Sequence, residues 1–121
     1  MSGICTKVFR TPADAIETVA LIGQNVVREI SGENTSGGDI YIQIYDLAAV
    51  PANGVTTQLF APIRVPSGKR YDMVFDKGNF PNGFVFELGV VVVASSTKYT
   101  KTSVLVASMD LQVLYEENVI T

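Results

Sequence analysis

The longest apolar run in the sequence extends over residues 84–94, with the letters FVFELGVVVVA. Every second residue from Phe84 to Val92 is apolar, whereas the intervening positions include Glu87 and Gly89. Successive side chains of a strand point to opposite faces of a sheet, so the first set would form an unbroken apolar row. Phe and Val favour strands, and Gly89 disfavours a helix. The run therefore predicts the central strand of a β domain.

Further stretches with alternating apolar residues predict shorter strands on both sides of this run. The clearest is residues 39–46, in which Ile40, Ile42 and Ile44 share one face and are expected to be buried. Pro62 cannot donate a hydrogen bond to a neighbouring strand, so the strand that contains it is predicted to be an edge or bulged strand. The predicted strands besides the central one are 18–22, 25–30, 39–46, 58–65, 71–75, 104–106 and 111–115.

The spacing of these strands predicts the fold class. They recur about every ten to twelve residues between turns rich in Gly, Asn and Ser, and no long amphipathic helix separates them. This pattern is typical of a single antiparallel β-sandwich of jelly-roll or immunoglobulin-like type, or of a small barrel. We assign the domain to residues 18–121.

Residues 1–17 are predicted to form an extended N-terminal arm. Thr11 is a possible N-cap and Pro12 suits the first helical position, so one helical turn at most is expected there. Two interpretations are open: a frayed terminus, which is usual for terminal residues, or an arm that contacts a neighbouring subunit.

Composition limits the possible partners. The chain has 121 residues, 17% of them charged, and a formal net charge of −3. Low charge fits either a compact β protein or a surface partly covered by other subunits. Scattered Lys and Arg in an acidic chain disfavour nucleic-acid binding. No run reaches the roughly 18 apolar residues of a membrane span, and none resembles a signal peptide. We therefore expect that the protein either is used without export or leaves the cell by lysis.

The sequence contains no recognisable catalytic or metal-binding motif. It has no histidine and one cysteine, Cys5, which excludes Ser-His-Asp and Cys-His catalysis, an internal disulfide and an ordinary zinc or iron site. Phosphate-binding glycine loops are absent. The acids Asp46, Asp72, Asp76 and Glu87 fit no calcium-loop pattern, and we expect them to face water. We therefore predict a protein without enzymatic activity, cofactor or metal.

Two features of the predicted strands leave alternatives open. Glu87 is expected on a solvent-facing or subunit-facing position, because burial would require a partner such as Arg64 or Arg70. Tyr41 and Tyr45 share one strand face about 13 Å apart at the usual strand rise. They are interpreted as packing or interface residues, with a sugar-stacking platform as the alternative.

Several turns and strands follow one another in an order that resembles a known family. Tyr45-Asp46 ends one strand, and the matching positions after it are Pro51, Gly54, Pro62, Pro66, Gly68, Phe80, Gly83, Val90 and Ser95-Ser96-Thr97. This order resembles that of small β-sandwich virion proteins of tailed bacteriophages. The resemblance covers roughly residues 25–115, and the N-terminal 17 residues lie outside it.

The resemblance implies a structural role in the virion, with assembly in the host cytoplasm. It favours a capsid decoration, or cement, protein that binds the outer face of the major capsid protein and stabilises the mature head as a homo-oligomer, with a trimer favoured. A neck, tail, baseplate or fibre subunit and a carbohydrate-binding module for host attachment remain alternatives. The candidate contacts lie in the arm and in the loops 47–56 and 76–83: Val8, Phe9, Arg10, Pro51, Asn53, Phe80 and Asn82.

Overall fold

The computed structural model describes residues 7–10, 17–75, 83–102 and 109–117. Within these ranges the chain is all-β, and its strands form two antiparallel sheets, which confirms the predicted fold class. The strands are β1 Lys7–Arg10, β2 Glu17–Ile22, β3 Asn25–Asn34, β4 Ile40–Asp46, β5 Ile63–Val65, β6 Arg70–Val74, β7 Phe84–Phe86, β8 Gly89–Ser95 and β9 Met109–Glu117.

The strands are divided between a five-stranded sheet and a four-stranded sheet. The five-stranded sheet has the order β1-β9-β3-β6, and β7 also pairs with β3. The four-stranded sheet has the order β2-β8-β4-β5. β5 follows directly after Pro62 and is an edge strand, as predicted for this proline-containing segment.

The main core contains side chains from both sheets. Val27, Ile30 and Val113 come from the five-stranded sheet and are fully buried. Ile40, Ile42 and Ile44 come from the four-stranded sheet and are at most 2% exposed, which confirms their predicted burial. Each such side chain stabilises the fold by about 1.5–3 kcal/mol through apolar burial. One end of the core is aromatic, with ring centroids 5.0–6.5 Å apart among Phe60, Phe75, Phe84 and Phe86.

The apolar run at residues 84–94 does not form one strand, so the prediction of a single central strand was wrong. β7 belongs to the five-stranded sheet and β8 to the four-stranded sheet. Glu87 and Leu88 connect them, and Leu88 is 55% exposed, which interrupts the expected apolar row. The Asp46 carboxylate stabilises this crossing by accepting hydrogen bonds from the amides of Glu87, Leu88 and Gly89 at 3.0, 2.8 and 3.2 Å.

Part of the predicted arm is a strand of the sandwich. Lys7–Arg10 forms β1, which pairs antiparallel with β9 at the edge of the five-stranded sheet. Cys5, the predicted turn at Thr11-Pro12 and the predicted strand 104–106 lie outside the described residues, and the boundary after residue 17 stays a prediction.

Tyr71 and Tyr45 are both buried, but their hydroxyl groups are in different environments. The Tyr71 side chain occupies the space above Gly32, where a Cβ would meet the tyrosine hydroxyl. In the described part of the chain this hydroxyl has no hydrogen-bond partner. The Tyr45 hydroxyl donates to Gln43 Oε1 at 2.7 Å. Burial raises the pKa of Tyr71 above its ordinary value of 10.0, and the nearby Asp110 charge raises it further.

Removing the Tyr71 hydroxyl is therefore expected to be harmless or stabilising. At pH 7, Tyr71→Phe should leave the free energy of unfolding unchanged or raise it by about 1 kcal/mol, because an unpaired buried hydroxyl is removed. Tyr45→Phe, the matched control, should lower it by about 1–2 kcal/mol by leaving Gln43 Oε1 unpaired. Denaturant titrations of both variants measure the difference, and an equal loss in both would contradict the assignment.

Tyr71 and Tyr45 also predict how the free energy of unfolding changes at alkaline pH. Because folding raises the pKa of Tyr71, the unfolded chain loses this proton at a lower pH than the folded chain does. The free energy of unfolding is therefore unaffected by this group below pH 10 and falls as the pH rises above it. Burial raises the pKa of Tyr45 too, so part of this alkaline loss should persist in Tyr71→Phe. The free energy of unfolding, measured between pH 9 and about 11.5, should decline less steeply for Tyr71→Phe than for the wild type. Each proton that the folded state holds and the unfolded state has lost lowers this free energy by about 1.4 kcal/mol per pH unit.

Candidate protein-interaction surface

The outer face of the four-stranded sheet is covered by the chain's own loops, and we call it the closed face. Tyr45, Val91 and Val93 lie on this side, away from the main core, yet each is fully buried. They form a second apolar cluster with partly buried residues of β2 and of the loop after β4. These are Val19, Leu47, Val50 and Val55. This sheet face is therefore not available to a partner.

Gln43 connects the closed face to the loop after β8. Its side chain is fully buried, and Nε2 lies 3.0 and 3.1 Å from the carbonyl oxygens of Thr97 and Thr100. Its Oε1 accepts the hydroxyl of Tyr45. Because Tyr45 is fully buried in the cluster with Leu47, Val50 and Val55 of the loop after β4, the sugar-stacking platform considered for Tyr41 and Tyr45 was wrong.

Lys101 joins three segments on the same side of the sandwich. It is 3% exposed, and its Nζ lies 2.8 Å from Asn53 Oδ1 and 3.3 Å from Glu17 Oε2. The Lys101 amide donates to the Val55 carbonyl, and its own carbonyl accepts from the Gly54 amide, both at 2.8 Å. These contacts fix the loop after β4 against the loop after β8, so Asn53 has a structural contact there.

The outer face of the five-stranded sheet carries apolar residues that the described loops do not bury. Val8, Leu114, Glu29 and Val74 form one cross-strand row over β1, β9, β3 and β6. This row points outward, because the next row contains the buried Ile30 and Val113. Val8 is 53% exposed and Val74 38%.

A second outward row extends this apolar area toward β7. Val26 pairs with Val85 on one side and with Glu116 on the other, and Val85 is 41% exposed. The neighbouring row, with Val27 and Phe84, faces the core. We call the area formed by Val8, Val26, Val74, Val85 and Leu114 the open face.

Charged and polar side chains lie within and beside the open face. Glu29 lies between Leu114 and Val74 in the first row, and the bulge residue Arg28 forms an ion pair with Glu116 of the second row at 2.9 Å. Beyond these rows, the outer positions of β3, β6 and β9 are polar. Three of the six are acidic, namely Glu33, Asp72 and Asp110, and Arg70 lies 4.0 Å from Glu33. The surface is thus an area of exposed aliphatic side chains beside a polar area with an excess of acids.

This arrangement suits binding to another protein. An antiparallel sheet with one face toward water usually alternates apolar inward and polar outward residues. The open face departs from that alternation, and contiguous exposed apolar areas mark interaction sites in soluble proteins. The excess of acids in the polar area favours a partner whose apolar area has basic neighbours.

The structure separates the contact residues predicted from sequence. Val8 lies on the open face, whereas its neighbour Phe9 packs against the core, and the backbone of Arg10 pairs with Gln112 of β9. Pro51 and Asn53 belong to the loop over the closed face, on the opposite side of the sandwich. Phe80 and Asn82 lie outside the described residues.

Sequence reasoning missed four residues of the open face, namely Val26, Val74, Val85 and Leu114. Val74 and Val85 are apolar residues out of phase with the buried alternation of their strands. That out-of-phase position was the available signal. This signal identifies an exposed apolar face only when it is already known which residues of the strand point toward the core.

The described acidic residues that were considered as ligands do not form a metal-binding group. Glu87 is exposed and accepts a hydrogen bond from Gln24 Nε2 at 2.7 Å, but it lies in the crossing between β7 and β8 and not within a strand as expected. Asp72 is also exposed, Asp46 binds the amides at the crossing, and Asp76 lies outside the described residues. No group of three potential metal ligands occurs within residues 7–10, 17–75, 83–102 and 109–117.

Comparison with protein-family models, curated proteins and solved structures found no match to this chain. In the described ranges, no helix has the length and apolarity needed to cross a membrane. Functional assignment therefore rests on the residues and geometry of the chain itself.

Proposed function

We propose that this chain is a non-enzymatic virion structural protein, and specifically a capsid decoration protein. In this role it binds the outer face of the major capsid protein as a homo-oligomer, most readily a trimer, and stabilises the mature head. The open face is the observation that carries the proposal, because a two-sheet body with one sheet face covered presents exposed valines on the other. The resemblance of the turn-and-strand order to phage virion proteins supports the choice of partner.

The mechanism is stabilisation by binding. A protein that binds the intact shell and not its separated subunits shifts the equilibrium toward the intact shell by mass action. The two-sheet body supplies a rigid support. Burial of Val8, Val74 and Val85 would provide apolar binding energy, and the excess of acids in the neighbouring polar area would favour a basic surface on the partner.

Charged substitutions on the open face test the contact. Val8→Lys combined with Val74→Lys should weaken rebinding to heads stripped of this protein by at least about tenfold, because charge is placed in the apolar contact. Bound protein is quantified on gels over a concentration series. Tyr99→Lys is the matched control, since Tyr99 is 65% exposed in the loop over the closed face. Rebinding of the double variant at wild-type affinity would contradict the open face as the contact.

A further inference from the structure

Two turns meet at one end of the sandwich and expose an aliphatic side chain each. Ile22 begins the turn between β2 and β3, and Leu88 lies in the crossing between β7 and β8. Ile22 is 75% exposed and Leu88 55%, the highest values among the described aliphatic side chains. The Gly23 amide donates to the Leu88 carbonyl at 2.8 Å, which joins the turns. We call Ile22 and Leu88 the apolar tip.

Hydrogen bonds from several directions fix the backbone of the apolar tip. Asp46 accepts from three consecutive amides around Leu88. Gln24 Nε2 donates to Glu87 Oε2 at 2.7 Å, which links the turns through their side chains. Asn25 Nδ2 lies 3.3 Å from the carbonyl oxygens of both Ile22 and Gly23. A backbone held in this way keeps the two turns in one relative position, so less backbone entropy is lost on binding.

We infer that the apolar tip inserts into an apolar pocket with basic residues at its rim, on the same partner protein that contacts the open face. This inference rests on the proposed function. Val85 of the open face lies in β7, three residues before Leu88, so at most about 11 Å of chain separates the two surfaces. An aliphatic side chain buried in a pocket of the partner contributes binding energy in proportion to the apolar area removed from water.

The charge near the apolar tip favours a protein over a lipid surface. Glu87 is exposed next to Leu88, whereas Glu116 is 9% exposed and forms an ion pair with Arg28 at 2.9 Å, so it adds little charge to this surface. The whole chain has a net charge of −3. Anionic membranes attract basic segments and would repel the exposed Glu87. A protein pocket with Lys or Arg at its rim complements Glu87.

The test compares the double variant Ile22→Ser/Leu88→Ser with Tyr99→Ser in rebinding to heads stripped of the protein. All three positions are exposed, so folding should be retained, and circular dichroism and thermal unfolding check this. The tip variant should bind at least about tenfold more weakly, and Tyr99→Ser should bind like the wild type.

Each other outcome has a definite meaning. Wild-type rebinding by the tip variant overturns the tip as an anchor and leaves the proposed function intact. Failure of the wild-type protein itself to rebind overturns the proposed function and this inference together. Flotation of the wild type, but not of the tip variant, with vesicles of phosphatidylcholine and phosphatidylglycerol would assign the tip to lipid and overturn the protein pocket.

Discussion

Alanine in place of Gly89 is expected to lower the free energy of unfolding by about 3 kcal/mol or more, because the added methyl group has no space. A Cβ at this position would lie 2.5 Å from the Leu47 carbonyl oxygen and 2.6 Å from the Leu21 carbonyl oxygen. Both are backbone atoms and cannot rotate away. The strand crossing would have to shift, together with the amides that Asp46 binds. Urea or guanidinium denaturation measures the loss.

Gly38→Ala is the matched control for this prediction. A Cβ at Gly38 would meet no atom within 4 Å, and its backbone does not have a positive φ. Its effect should lie within about 0.5 kcal/mol of zero, as is usual for surface changes. If Gly89→Ala were as stable as Gly38→Ala, the strand crossing at residues 87–89 would not have the described geometry.

Gln43→Leu is expected to lower the free energy of unfolding by about 2–3 kcal/mol, because polar groups around a buried position lose partners at once. The Thr97 carbonyl would lose its donor and the buried Tyr45 hydroxyl its acceptor, whereas the Thr100 carbonyl would keep the hydroxyl groups of Ser95 and Thr97 as donors. Leucine is close to glutamine in size, so the effect would report hydrogen bonding more than packing. Amide hydrogen exchange in the loop after β8 should also become faster.

Gln58→Leu provides a control on the same loop. Gln58 Nε2 donates to the Lys98 carbonyl at 3.0 Å at a more exposed site, and its Oε1 has no partner among the described residues. Its replacement should cost less than about 1 kcal/mol. Equal effects of the two substitutions would contradict the role of Gln43 as the buried connection of the closed face.

The alternation of apolar with other residues within short segments of the sequence predicted much of the fold. Ile40, Ile42 and Ile44 alternate with polar or aromatic residues, and a period of two is visible in the sequence without knowledge of the partners. The crossing within residues 84–94 was not visible in this way. It depends on Asp46, which is far away along the chain and binds the turn only in the folded protein.

The candidate surface was predictable only in part, for a related reason. Val8 was identified as a contact residue, but Val74 and Val85 become an exposed face only when β6 and β7 both pair with β3. Conversely, Gln43 and Tyr45 lie on a strand face that would be exposed if the loops did not cover it. Such coverage is a tertiary property that alternation within one strand cannot reveal.

The copy number of this chain in purified virions tests the central claim most directly. It is measured by quantitative mass spectrometry against the major capsid protein. The decoration role predicts one copy per capsid subunit or a simple fraction of that number, consistent with the symmetry of a shell. A few to a few dozen copies would contradict the decoration role and assign the chain to the neck, tail, baseplate or fibres. Absence from virions would contradict the proposed virion function altogether.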